Sequence, residues 1–253
     1  MLDSLALWLH EHEIPAFLIA QALAFAVGVA WLGARLRKDA GPRDASLIAL
    51  AMGTGALVGG ALLLPLLRLP RTLLGGGGDP FAPGFPSAYG ALIGAWVLVT
   101  SVARSRGRVA GDALVAPLGA MIAIGRIGCL LAGCCFGKET MALGVSYPPG
   151  TPAFAEHAAH AVLPVPLFES ALGLAIVMLG VWLPKRLAPG TSLRIAIVVY
   201  AVGRFALETL RGDLRPTAGP ISLPQAISLV VLALVALRWA RSRPDAGVAR
   251  SAP

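Results

Sequence analysis

Charge is scarce in this sequence. Only 13% of its 253 residues are Asp, Glu, Lys or Arg, about half of what a soluble domain carries. That shortage excludes an ordinary water-facing surface. Basic residues are also missing from the first seventeen positions, MLDSLALWLHEHEIPAF, where Asp3, Glu11 and Glu13 supply the only full charges. A cleaved secretory leader needs a positive start, so the expectation is an uncleaved N-terminus. Cysteine is limited to Cys129, Cys134 and Cys135, too few and too local for a disulfide framework. Their Cys-x4-Cys-Cys spacing lacks the pattern of a zinc site, and buried free cysteine ordinarily packs as a small apolar side chain. No metal and no cofactor is assigned. His10, His12, His157 and His160 are read as surface. Long polar blocks are absent too, which favours one domain over 1–253.

What is present is apolar sequence in long runs: 57% of the residues are hydrophobic. A helix needs about 20 apolar residues to cross about 30 Å of hydrocarbon. Runs at 14–33, 46–67, 86–103, 112–131, 165–183, 193–210 and 223–240 meet or approach that length. The expected fold is therefore an all-α, multi-pass integral membrane protein with about seven transmembrane helices. The fourth run is expected to break near Gly133. The net charge of +8 would suggest nucleic acid in a soluble protein. Here the basic residues flank the apolar runs, so they are read as topology and no nucleic-acid partner is expected. Fourteen of the twenty-one follow the first, third, fifth and seventh runs, five lie on the opposite side, and Arg126 and Arg204 fall inside runs. Positive residues favour the cytoplasmic side, which places the N-terminus outside and the C-terminus in the cytoplasm. The outer connections, around 68–88 and 138–163, are long and rich in Gly and Pro, as irregular loops are.

Four stretches carry groups capable of chemistry. In GRIGCLLAGCCFGKET, Arg126 interrupts an apolar run, at a cost of about 2.5 kcal/mol or more for a charge at the bilayer centre. Gly125, Gly128 and Gly133 leave space around it, for helix packing or for a lipid head group. In VVYAVGRFALETLRGD, Tyr200, Arg204, Glu208 and Arg211 recur at spacings of four, four and three, near one helix face. Arg204 can pair with Glu208, or two arginines on different helices can grip one anion, since guanidinium takes phosphate in a bidentate fork. In a membrane that phosphate belongs to a phospholipid. In LPVPLFES, Glu169 stands ready to hold an arginine, or else meets water at the interface. In SAYGALIGA, Tyr89 beside Gly90 is either an interfacial anchor or a head-group contact.

Taken in order, these stretches resemble the prolipoprotein diacylglyceryl transferase family. GRIGCLLAGCCFG resembles its Gly-Arg-x-Gly signature, YAVGRFALETLRGD its Tyr-x-x-x-Arg-Phe-x-x-Glu-x-x-Arg segment, and LPVPLFES its His-Pro-x-Gln-Leu-Tyr-Glu. GVSYPPG is similar to its aromatic-Pro turn, and ISLPQAIS to the Ser-x-x-Gln-x-x-Ser that opens its last helix. The resemblance implies transfer of diacylglyceryl from phosphatidylglycerol to the lipobox cysteine thiol of a prolipoprotein, in a bacterial inner membrane. The implied partners are phosphatidylglycerol, the prolipoprotein signal peptide and the bilayer, with the enzyme a monomer. It implies catalytic parts for Arg126, Arg204 and Tyr89. Head-group binding falls to Arg126, Gly125, Gly128, Gly133, Gly90, Tyr200, Arg204, Glu169, Glu208, Arg211 and Cys129. The chain departs from the family at Tyr89 (family His), Cys129 and Ala132 (Asn), Cys134 (Glu), Leu163 (His) and Pro166 (Gln). Those departures keep open transfer to a different acceptor, a cysteine as covalent carrier, and phospholipid binding or transport without catalysis.

Overall fold

Gly41 breaks a helix that otherwise runs without interruption for 58 residues. In the computed structural model, which describes residues 15–73, 87–103, 107–213, 217–218 and 220–241, α1 spans Ala16–Leu73. Gly41 (φ 78°, ψ 162°) divides it into arms that include the apolar segments Ala16–Arg37 and Gly41–Pro70. The sequence predicts a basic loop between 33 and 46. Instead both helices run on to a one-residue break, because only glycine takes positive φ at no steric cost and Pro42 is acceptable as a first helical residue. The acidic N-terminal segment, residues 74–86 of the Gly/Pro-rich stretch, and Arg104, Arg106, Arg215, Arg243 and Arg250 lie outside the described residues.

The remaining helices are α2 (Ala88–Val102), α3 (Gly107–Leu131), the short α4 (Pro152–His157), α5 (Val165–Trp182), α6 (Thr191–Glu208) and α7 (Leu223–Arg241). A two-residue hairpin, Thr217–Ala218 with Ile221–Ser222, precedes α7. Local sequence sets several of these starts. The Ser87 hydroxyl accepts from Gly90 N at 3.2 Å, and Thr151 from Phe154 N at 3.3 Å. Ser222 and Gln225 form a reciprocal capping box, each side chain accepting the other's backbone N–H. The start of α6 borrows its cap from α3: Asp112 accepts Gly190 N at 2.6 Å and Leu193 N at 2.8 Å.

Each predicted run is helical over most of its described residues. Among the described residues, five segments are long and apolar enough to cross a membrane: the two arms of α1, Gly111–Leu131, Val165–Lys185 and Leu223–Ala240. The chain is therefore read as a multi-pass membrane protein. α2 has 15 residues, about 22 Å at 1.5 Å per residue. α6 carries Arg194, Arg204 and Glu208 among its 18 residues.

The core is built on α3. It packs against α1 and α5, α2 packs against α1, and α6 lies between α5 and α7. The α3–α5 contact is close: a Cβ on Gly173 would lie 2.6 Å from the backbone N of Ala123. The Ser170 hydroxyl donates to Ala123 O at 2.8 Å in the same contact. Gly173→Val is therefore expected to wedge these helices apart. The cost should be about 1–3 kcal/mol or more, seen as a lower thermal midpoint in lipid nanodiscs, with Gly173→Ala intermediate.

Candidate active site

The ends of the helices, not their middles, hold the charged groups. Arg126 lies five residues before the end of α3, Glu169 near the start of α5, and Glu208 closes α6. Arg211 follows α6, paired in a β-bridge with Gly137. Arg126 thus lies inside its apolar run, as expected, about 7 to 8 Å from the helix end. All these ends meet at one side of the bundle, under the segment 136–164. That segment folds over an apolar cluster of Phe136, Val145, Tyr147, Ala153 and Val162. Its chain is stitched to the site by Lys138 N→Leu210 O at 3.0 Å and Gly212 N→Phe136 O at 3.2 Å.

Glu169 is the hub. Its Oε2 lies 3.0 Å from Arg126 Nη1, and its Oε1 lies 3.3 Å from both Arg204 Nη1 and Arg211 Nη1. Its side chain is 3% exposed, so the alternative of a water-facing carboxylate is set aside. Arg204 also pairs with Glu208 on its own helix. Arg211 is held bidentately by Asp213, at 2.8 Å on each oxygen. Three guanidinium groups and three carboxylates thus balance in charge, in a site where unpaired charge would be costly.

The three arginines differ in what they have left to offer. Side-chain exposure is 16% for Arg126 against 5% and 2% for Arg204 and Arg211. Arg126 approaches Glu169 as an ion pair only, and Glu169 Oε2 has no hydrogen-bond donor among the described residues. Glu208 Oε1 likewise has none. The site therefore offers one partly exposed guanidinium beside two buried carboxylate oxygens, Glu169 Oε2 in ion-pair contact with Arg126 and Glu208 Oε1 with no hydrogen-bond donor among the described residues.

Tyr89 is 6% exposed and buried, so it is not an interfacial anchor. Its hydroxyl shares a hydrogen bond with Ser228 of α7, and its ring meets Tyr200 edge to face, 5.5 Å between centroids. Tyr200 is buried as well. These contacts join α2, α6 and α7 beside the arginines.

The glycines expected to give a head group room are filled by protein. A Cβ on Gly90 would lie 2.2 Å from Gly59 O, one on Gly128 2.5 Å from Ala20 Cβ, and one on Gly125 3.0 Å from Gln21 Oε1. Gly133 sits at φ +63°, where the chain turns after α3, with Thr151 against it. These positions serve helix packing and the turn. That turn also gathers the cysteines, whose Sγ atoms all lie within 4.8 Å of one another. Arg126 Nη1 is 3.8 Å from Cys135 Sγ.

Three contributors escaped the sequence reading. Asp213 is the next carboxylate after Arg211, and its proximity was the available signal. Ser228 ends ISLPQAIS, and only the fold shows that it faces Tyr89. Gln21 is the lone amide of the first run, and its Nε2 donates to Gly125 O at 3.2 Å.

On the same side, Glu139 Oε1 accepts from His157 Nδ1 at 2.9 Å and lies 3.3 Å from His160 Nδ1. Those two hydrogen bonds hold the Glu139 carboxyl below its ordinary value of 4.5. A depressed carboxylate contributes stability above its unfolded pKa and loses it as pH falls through the folded one. Protease resistance of the 138–163 segment is thus expected to drop in acid below about pH 4.5, and Glu139→Gln should remove that step.

Comparisons with known proteins give the family. A model of the prolipoprotein diacylglyceryl transferase family matches residues 4–241. The chain is 35% identical over 123 residues to phosphatidylglycerol–prolipoprotein diacylglyceryl transferase 2 of Clostridium perfringens, covering 48% of this chain and 47% of that one. It is 30% identical over 149 residues to a phosphatidylglycerol–prolipoprotein diacylglyceryl transferase of Clostridium tetani (57% and 59%). With the protein of that name from Dehalococcoides mccartyi strain 195 it shares 27% over 227 residues (85% and 84%). The matches thus span about half the length of the two clostridial relatives and most of the third. With a family match running through every helix that builds the arginine–carboxylate cluster, this chain belongs to the prolipoprotein diacylglyceryl transferase family.

Proposed function

We propose that the protein transfers diacylglyceryl from phosphatidylglycerol to the lipobox cysteine thiol of a prolipoprotein. The observation that carries this is a partly exposed guanidinium, Arg126, beside carboxylate oxygens of Glu169 and Glu208 that accept no hydrogen bond among the described residues. A phosphoglycerol head group complements that pattern, with a phosphate for Arg126 and hydroxyls to donate to the carboxylates. In the reaction a sulfur–carbon bond forms as the glyceryl carbon–oxygen bond breaks. The electron pair stays on the phosphate oxygen, and glycerol phosphate leaves. The thiol proton passes to that phosphate, whose second pKa is about 6. Arg126 faces the charge as it develops, and such preorganised donors stabilise the transition state.

Arg204 and Arg211 act as positioning residues, because their burial and their pairing with Glu169, Glu208 and Asp213 leave them little reach to substrate. This narrows the catalytic parts that the resemblance implied for Arg204 and Tyr89. Tyr89 and Tyr200 form an aromatic wall, and Tyr89 is engaged with Ser228. The same engagement favours the second reading, lipid binding without transfer.

In this reading seven segments, the two arms of α1 with α2, α3, α5, α6 and α7, cross a bacterial inner membrane as a single-domain monomer, with the N-terminus outside and the C-terminus cytoplasmic. The basic bias of the inner connections supports that orientation. α2, though short, packs its length against α1. Rescue of a bacterial strain depleted of its own diacylglyceryl transferase tests the proposal. Growth with wild type but not with Arg126→Ala is expected. Failure of the wild type, when it is present in the membrane, contradicts transfer.

A further inference from the structure

We propose that Cys129, Cys134 and Cys135 form a binding site for one thiophilic cation of the zinc class, at the end of the bundle beside Arg126. None of the three cysteines forms a disulfide, and their sulfurs lie within 4.8 Å of one another. Zinc–sulfur bonds of about 2.3 Å place sulfurs that share one ion about 4 Å apart. Closing the remaining gap takes less than about 1 Å, within the reach of side-chain rotation.

The backbone is bent to produce this grouping. Cys129 sits in the last turn of α3, which ends at Leu131. The chain then reverses through Gly133 at φ 63° and Cys135 at φ 61°. A left-handed conformation costs a non-glycine residue about 1–2 kcal/mol. The turn is secured by Cys134 N→Cys129 O at 3.2 Å and Ala153 N→Gly133 O at 3.0 Å. Sequence spacing alone hides the site, because the reversal brings the later pair of thiols back onto the first.

The donor set selects the ion class. Three sulfurs suit soft d10 cations such as Zn2+, whereas Mg2+ and Ca2+ need oxygen. Charge fits as well. A divalent ion displaces three thiol protons, so the bound unit carries one net negative charge. Arg126, with Nη1 3.8 Å from Cys135 Sγ, faces that charge. Cys129 and Cys134 are buried and Cys135 is partly exposed, so an ion would enter from the Cys135 side. The plainer alternative is that the thiols are small packing groups.

The test uses the full-length protein, reduced and purified in lipid nanodiscs, with Cd2+ as spectroscopic probe and Zn2+ measured by elemental analysis. The expected result is one ion per chain, about three protons released per ion and a sulfur-to-cadmium charge-transfer band. Cys129→Ser, Cys134→Ser and Cys135→Ser should each weaken binding at least about tenfold, the loss of one ligand bond. Both the stoichiometry and the band are read on the wild type, so a variant that fails to fold leaves the test intact. A wild type that takes up no ion, or takes it up without proton release or a thiolate band, overturns the proposal. Neither outcome depends on whether the protein turns over lipid.

Discussion

Glu169→Gln is expected to abolish measurable transfer and to cost about 3–5 kcal/mol of stability, the penalty for removing one partner of a buried charge network. The substitution keeps the shape of the side chain and removes only its charge. Three guanidinium groups within 3.3 Å of that carboxylate then lose their shared counterion in a region with little water to replace it. Thermal unfolding in nanodiscs measures the stability arm, and product formation measures the other. Glu208→Gln removes the counterion of Arg204 alone and should have a smaller effect on both. If Glu169→Gln retains the wild-type midpoint, Glu169 is not the hub of the site.

Arg126→Lys is the second large effect, and it should fall on a different parameter. Losing one preorganised donor to a developing oxyanion lowers kcat by about 10²- to 10³-fold. Lysine keeps the charge and gives up the planar fork. Because Arg126 is the most exposed of the three and meets Glu169 by ion pairing alone, its replacement should leave stability nearly unchanged. Arg204→Lys should show the reverse balance, with a clear drop in thermal midpoint and a kcat loss that follows disorder of Glu169. Equal effects of the two substitutions on kcat and stability would remove the division of roles between a phosphate-contacting arginine and positioning ones.

The parts of this site that sequence reveals are the ones that violate a local rule. Arg126 and Arg204 stand out because each is a charge within an apolar run. Glu208 stands out because its spacing puts it on the face of Arg204, whereas Arg211 lies past the end of α6. The helices were legible for the same reason, since hydrophobic length is a local property. Convergence is not local. Glu169 is 42 residues from Arg211 in sequence, and nothing in LPVPLFES indicates that three arginines meet there rather than one. Tyr89 finds Ser228 across 139 residues. The glycines show the limit from the other side. Small residues mark close approach, but composition does not say whether a ligand or another helix fills the space, and here helices fill it. Gly41 shows that a single glycine before a proline turns the chain where a longer loop is the natural expectation.

In the proposed function Arg126, partly exposed beside the carboxylates of Glu169 and Glu208, drives transfer from a phosphoglycerol lipid to a thiol. The most direct measurement uses purified protein in phosphatidylglycerol nanodiscs with a lipobox peptide. It follows the peptide by mass and glycerol phosphate by release. The account predicts one diacylglyceryl thioether formed per glycerol phosphate released, with both lost in Arg126→Ala. Phosphatidylglycerol bound by the wild type, with no thioether and no glycerol phosphate above that variant, would contradict it.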